Sequence, residues 1–359
     1  MICIPRLVLV IIFNLNRWLR MKKIVLHVGS GKAGSTSIQQ ALLQSQEKNS
    51  GLYTYPVLPN TPGNQIIRHA FCKGNSSRNK IAGKNGFGEE LSLDEYQEVI
   101  KLSFKYQCER SKNVIISSEF LFGSSEGEVK EFGVFLRDLG FYEIHAIIYL
   151  RDPASYYLSL AQQALKKQYK IPQPTNFKYE MIGAADRWLS ISPASMTIRE
   201  FSALSLQNGD IVRDFEEYLL RCGIAVSLNI DRRRNETLPC EIIQAMQDIH
   251  QYLSNSKFDG HVKAERLRKI RKLIREEKLK GTKPQLLCSI EDYIHKRFLS
   301  EIMELYSRYG IFKNLVNKPT NKKMDYNDLE QISLFRDIVQ SFDVVLYEKI
   351  RSQYLEMVK

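Results

Sequence analysis

Short apolar runs alternate with longer amphipathic stretches through the first two thirds of the chain. Residues 23–28 read Lys-Ile-Val-Leu-His-Val. A run this short, without polar alternation, predicts a strand covered on both faces. The same pattern predicts strands over 113–117 and 144–150, and 195–201 is expected to be a fourth. Helical periodicity predicts helices over 93–110, 129–139, 154–168 and 210–222, with Gly140 and Gly223 placed to stop two of them and Pro153 placed to start a third. Strands alternating with helices predict an α/β fold with a parallel sheet flanked by helices. From about residue 240 the pattern turns mostly helical, and residues 51–90, rich in Gly, Asn, Pro and Ser, are expected to be irregular. The expected organisation is an α/β core over 21–240 and a helical C-terminal region over 241–359, within the same domain or as a small appendage.

Residues 1–20 fit neither part. The apolar stretch 7–13 is too short to span a bilayer, and Met21 opens directly into the first strand. The expectation is an upstream start or loose extension, with a short membrane-surface anchor as the alternative. Composition adds that 43% of the 359 residues are hydrophobic, ample for a large core. The six cysteines are scattered without metal-ligand or paired spacing, which fits a reducing, cytoplasmic setting and implies no metal. A formal charge of +12 favours anionic partners such as nucleotides, acidic polysaccharides, nucleic acid or anionic lipid.

The turn after the first run carries the strongest chemical signal. Residues 29–37 read Gly-Ser-Gly-Lys-Ala-Gly-Ser-Thr-Ser. Gly29, Gly31 and Gly34 let the backbone turn tightly and bring N–H groups to a phosphate. The helix that follows adds the positive end of its dipole. Ser35, Thr36 and Ser37 offer hydroxyls, and Lys32 a cation. Gly29 and Gly34 have the spacing of a Walker A loop, but position 35 is serine where that motif needs lysine, which argues against an ordinary nucleoside triphosphatase.

A second anion motif follows the 144–150 strand. Arg151 stands at its end, and Ser159 lies eight residues on in the next helix. A guanidinium binds phosphate bidentately, and a hydroxyl adds a further bond. The 113–117 strand runs out into Ser118 and Glu119. A carboxylate at a strand end can take a proton when burial raises its pKa. His69, in the irregular stretch, is the competing base. Further on, Arg232, Arg233 and Arg234 form a basic run before the C-terminal helices, either a loop closing on an anion or a surface turn.

Lys32-Ala-Gly-Ser-Thr-Ser37 resembles the 5′-phosphosulfate loop of sulfotransferases, K-x-G-[ST]-[ST]-[ST]. The longer stretch LHVGSGKAGSTSIQQAL is similar to the opening of bacterial carbohydrate sulfotransferases. Arg151 and Ser159 resemble the family's 3′-phosphate motif, with the same spacing. The resemblance covers roughly residues 23–240. It implies a P-loop NTPase-like sulfotransferase fold and 3′-phosphoadenosine-5′-phosphosulfate as donor. The implied acceptor is a hydroxyl on a carbohydrate or glycolipid, and no metal is required. By the same resemblance Lys32 steadies the leaving oxygen, Gly34, Ser35, Thr36 and Ser37 hold the 5′-phosphate, and Arg151 and Ser159 hold the 3′-phosphate. Arg233 and Arg234 fall where the family closes a basic loop. The chain departs there from the RKGxxG of the cytosolic branch and is closer to the Arg-x-Asn of the bacterial carbohydrate branch. In the cytosolic branch a histidine follows the strand that here ends in Glu119.

Two other classes share these loops: a P-loop kinase with a displaced lysine, and a non-catalytic nucleotide- or polysaccharide-binding protein. A nucleic-acid partner is not expected, since no reading module is recognisable. A membrane surface remains a possible partner, without integral insertion. Residues 261–280 are strongly basic, with Ile270, Leu273 and Ile274 on one side. They read as a solvated amphipathic helix, or as a basic wall facing an acidic acceptor.

Overall fold

The computed structural model describes residues 22–59, 63–72, 91–229, 237–277, 279–316 and 329–358. The N-terminal extension and the basic run with Arg233 and Arg234 lie outside the described residues. The chain divides into two compact units. The first takes the described residues up to Arg151 and those from Glu180 to Asn229; the second takes Asp152–Tyr179 and the described residues from Thr237 onward.

The first unit is built on four parallel strands: β1 (Lys22–Val28), β2 (Asn113–Ser118), β3 (Phe141–Leu150) and β4 (Ser195–Glu200), in the order β2-β1-β3-β4. Its helices are α1 (Ser35–Ser45), α2 (Leu93–Cys108), α3 (Glu126–Asp138), α5 (Met181–Leu189) and α6 (Ile211–Arg221), with α4 (Pro153–Leu165) belonging to the second unit. Successive strand residues point to opposite faces. Val25, Ile115, Ile147 and Tyr149 pack with Ile38 and Leu42 of α1 and Phe215 and Leu219 of α6. Their neighbours Ile24, Leu26, Ile116 and Ile148 are also fully buried. On that other side Phe104 of α2, Phe132 of α3 and Trp188 of α5 are buried, with Phe132 and Trp188 edge-on at 6.1 Å. Burial on both faces is why β1, β2 and β3 carry apolar runs; β4 is mostly half-buried and mixed in sequence.

Local signals set the helix starts. Ser92 and Ser125 form capping boxes with Glu95 and Glu128, and Asp210 Oδ1 accepts from the Val212 and Arg213 N–H groups at 2.8 and 3.1 Å. Such caps contribute about 1 kcal/mol each. The irregular stretch is tied to the edge of β2. Thr54 pairs with Val114, and buried Asn64 accepts from the Ser117 N–H at 2.8 Å and donates to the Ile115 carbonyl at 3.3 Å. Its described residues include the 3-10 turn Gln65–Ala70.

The second unit is helical. Besides α4 it contains α7 (Cys240–Asn255), α8 (Gly260–Glu277), α9 (Cys288–Arg297), α10 (Leu299–Tyr309) and, past two shorter helical turns, α11 (Val344–Val358). Ile242, Met246 and Ile249 of α7, Ile270 and Ile274 of α8, and Ile350 and Tyr354 of α11 form its core. Helix α4 follows β3 directly, yet it packs with α7 and α9. Among the described residues no helix is long and apolar enough to cross a membrane, and Cys72, Cys108, Cys222, Cys240 and Cys288 are free.

Candidate active site

In a parallel sheet every strand ends at the same edge. With β1 between β2 and β3, residues following all three emerge there as neighbours. Two bonds tie the 29–34 turn to the flanking strands: the Gly29 N–H donates to the Ser118 carbonyl at 3.0 Å, and Ser30 Oγ donates to the Tyr149 carbonyl at 2.5 Å.

The turn holds an unusual backbone. Lys32 is left-handed at φ 63, which costs a non-glycine residue about 1–2 kcal/mol. Gly34 is left-handed at φ 81, and a Cβ there would lie 3.0 Å from both Ile211 Cγ1 and Phe201 Cε2. Gly29 is also required, since a Cβ would meet Ser35 Oγ at 2.4 Å. Helix α1 starts on Gly34 with no capping side chain and no acidic residue in its first turn. That leaves first-turn N–H groups suited to an anion. The three hydroxyls differ: Thr36 is exposed, Ser37 half-buried, and Ser35 buried.

Arg151 joins the two anion motifs. Its Nη1 donates to the Lys32 carbonyl at 3.2 Å, and its guanidinium carbon lies 6.0 Å from the Phe201 ring centre. The cation following β3 therefore rests on the turn following β1. Beneath it Tyr149 donates to Asp214 Oδ2 at 2.7 Å, and Asp214 Oδ1 pairs with Arg199 at 2.5 Å. This buried network fixes the end of β3. Asp152, the nearest carboxylate to Arg151 in sequence, is engaged within the second unit. It accepts from the Ser155 N–H at 2.6 Å and lies 2.6 Å from His295 Nε2. Burial opposes ionisation of its carboxyl, but His295 and Ser155 outweigh it and hold the pKa below the usual value. Ser159 is also in the second unit, half-buried on α4.

Glu119 starts a 3-10 turn directly after β2. It is open to solvent, but surrounding protein strips part of its hydration. This raises its pKa, against the opposing pull of the Lys32 ammonium and the Ser35 hydroxyl. Among the described residues the Ser35 Oγ is buried without a partner of hydrogen-bonding geometry; its effect on Glu119 is one of proximity. His69 stacks at 5.2 Å on Phe120, the residue after Glu119. Burial and the neighbouring Arg68 lower its pKa, and Arg68 pins this turn to Glu128 of α3 at 3.0 Å. Both candidate bases thus come to one end of the sheet.

Sequence reasoning did not single out Phe201, which follows β4 and flanks both Gly34 and Arg151; an aromatic residue at a strand's carboxyl end was the available signal. It also passed over Asn64 as the anchor of the His69 turn and over the Tyr149–Asp214–Arg199 network. No protein-family model matches the chain, and no curated protein matches it either.

Proposed function

We propose that this chain is a sulfotransferase of P-loop NTPase-like fold. It moves the sulfuryl group of 3′-phosphoadenosine-5′-phosphosulfate onto a hydroxyl of a carbohydrate or glycoconjugate. One observation carries the reading: Arg151 donates to the carbonyl of Lys32, which sets the cation after β3 against the phosphate-type turn after β1. The uncapped start of α1, the left-handed turn at Lys32 and Gly34, and the buried Ser35 hydroxyl beside them suit an anionic donor held by backbone N–H groups.

In this mechanism the acceptor oxygen attacks sulfur as the bond between sulfur and the bridging phosphate oxygen breaks. Glu119 takes the acceptor proton, and its raised pKa improves it as a base. His69 is the alternative for that step. Lys32 stabilises the charge growing on the departing phosphate oxygen, and the turn holds that phosphate in line. The products are the sulfate ester and 3′-phosphoadenosine-5′-phosphate. Arg151 binds the far phosphate of the donor. Ser159 enters through its sequence spacing from Arg151.

Thermal melting tests the reading. A hundredfold excess of 3′-phosphoadenosine-5′-phosphate over its Kd adds about 2.7 kcal/mol, which is a shift of several degrees. AMP and ATP with magnesium should give much less. Stabilisation by ATP with magnesium alone would replace the reading with a kinase. Stabilisation by the bisphosphate without transfer to any glycan would leave a nucleotide-binding protein.

A further inference from the structure

The second unit contains a cleft of about 310 Å³ between one face of α7, residues 334–336 and one face of α11. That volume lies within the range of small-ligand sites. Its floor is a closed polar network. Asp248 accepts from Gln244 Nε2 at 3.0 Å, from Arg351 Nε at 3.1 Å and from the Tyr347 hydroxyl. Gln244 in turn accepts from the Arg336 N–H at 3.0 Å. The floor is therefore rigid, and its one carboxylate is already matched by Arg351.

The rim is different. Gln251, Asn255 and Arg336 line the cleft and are exposed, and Tyr252 is half-buried beside them. Among the described residues Arg336 makes no ion pair with a carboxylate. Carboxamides offer both donors and acceptors, the pairing that sugar hydroxyls require. The Tyr252 ring and the side chains of Leu334 and Leu355 supply apolar surface for the C–H face of a sugar ring. Arg336 supplies a planar fork for a carboxylate or sulfate.

We infer that this cleft binds one residue of an anionic saccharide, a uronate or a sulfated sugar, with Arg336 on the anionic group and Gln251 and Asn255 on the hydroxyls. Naming a saccharide rests on the acceptor class proposed above; the cleft belongs to the second unit alone.

Calorimetry on the full chain tests this, with excess 3′-phosphoadenosine-5′-phosphate present. The probes are oligogalacturonate, sulfated dextran oligomers, neutral dextran oligomers and inorganic sulfate. One or both acidic oligomers should bind at least tenfold tighter than neutral dextran or free sulfate, and which of them does so separates uronate from sulfated sugar. Arg336→Ala should weaken that binding tenfold or more, and a Gln251→Ala/Asn255→Ala double variant should weaken it several-fold. All three positions are exposed, and melting curves of the variants report the fold. The inference is overturned if neither acidic oligomer binds, if free sulfate binds as tightly, or if both variants keep the parent affinity. Loss of the melting shift with the bisphosphate breaks the sulfotransferase reading instead, and the saccharide affinities are still measured.

Discussion

The turn at 29–37 and helix α8 both carry positive charge, one lysine on the turn and several cations on the helix, but they hold it by different means. On α8 the cations stand on a regular surface and answer to their neighbours one turn away. Lys269 pairs with Glu265 at 3.1 Å and Lys272 with Glu276 at 3.8 Å, while Ile270 and Ile274 take the buried side. In the 29–37 turn the backbone itself is constrained. Lys32 is left-handed, a Cβ at Gly29 or Gly34 would crowd its neighbours, and Arg151 rests on the Lys32 carbonyl. A helix that gains or loses a surface lysine stays the same helix. A turn that carries a strained lysine between two strands must be held there by the rest of the unit. The net charge of +12 mixes both kinds, so it says little about function until they are separated.

The largest expected effect lies at the strand ends. Glu119→Gln should lower turnover by about 10²–10⁴-fold while leaving the bisphosphate melting shift in place. His69→Gln should change turnover by no more than a few-fold. The reverse pattern in a labelled-donor transfer assay would move the proton to His69. The rate should fall with acid as the base is protonated. For Glu119 that limb lies above the ordinary carboxylate value of 4.5, because partial loss of hydration raises its pKa. For His69 it would lie below the ordinary imidazole value of 6.5. The two shifts approach each other, so the substitutions, rather than the pH profile alone, assign the base.

Next in size is Lys32→Ala. Removing one donor from the charge developing on a leaving oxygen costs about 10²–10³-fold in turnover. Circular dichroism should show the fold retained, since the left-handed backbone at 32 is no harder for alanine than for lysine. A variant that transfers at the parent rate would place Lys32 with the surface lysines of α8 and erase the distinction between the two regions.

The strand unit should also be the more acid-sensitive in stability. His27 of β1 is completely buried, its Nδ1 is 2.7 Å from Ser117 Oγ, and desolvation holds its pKa down to about 3. The unfolded chain takes up this proton near 6.5, whereas the folded chain resists it. Stability from His27 is therefore complete above pH 6.5 and is lost as the pH falls toward 3. The loss is on the order of a few kcal/mol. Denaturant melts between pH 7 and 4 should show this decline, and His27→Gln should flatten it. An equal decline in both proteins would assign the acid sensitivity to other groups.

The same contrast explains how much could be read in advance. Strands β1, β2 and β3 were legible because burial on both faces leaves an apolar run, which the half-buried β4, Ser-Met-Thr-Ile-Arg-Glu, lacks; the 29–37 turn was legible because glycines, lysine and hydroxyls crowd between a strand and a helix. Helix α5 was not. It is nine residues long, begins on Glu180 without a capping bond and contains Gly183, and what anchors it is tertiary: Trp188 Nε1 donates to the Leu121 carbonyl at 3.2 Å. The Gln65–Ala70 turn is held by Asn64 and Arg68 through partners about fifty and sixty residues away, which no local pattern encodes. Periodicity marked α4 as amphipathic, with Tyr157, Ala161 and Leu165 on its buried side, but it could not say that the helix packs with α7 and α9. The saccharide cleft is assembled from residues 244–255, 334–336 and 347–355, each a plain helical or turn sequence by itself.

The smallest expected effect tests the other side of the comparison. Lys269 and Glu265 keep 62% and 45% of their side-chain surface in water. Water and salt already satisfy both charges there, and ordering two long side chains offsets what attraction remains. Lys269→Ala should therefore shift the melting temperature by no more than about 1–2 °C, and 1 M salt should erase even that. The transfer rate should stay at the parent value. A tenfold loss of transfer, with the melt unchanged, would mean that α8 meets the substrate after all. The basic wall would then be part of the chain's working surface, and regular secondary structure would no longer mark a cation as solvated.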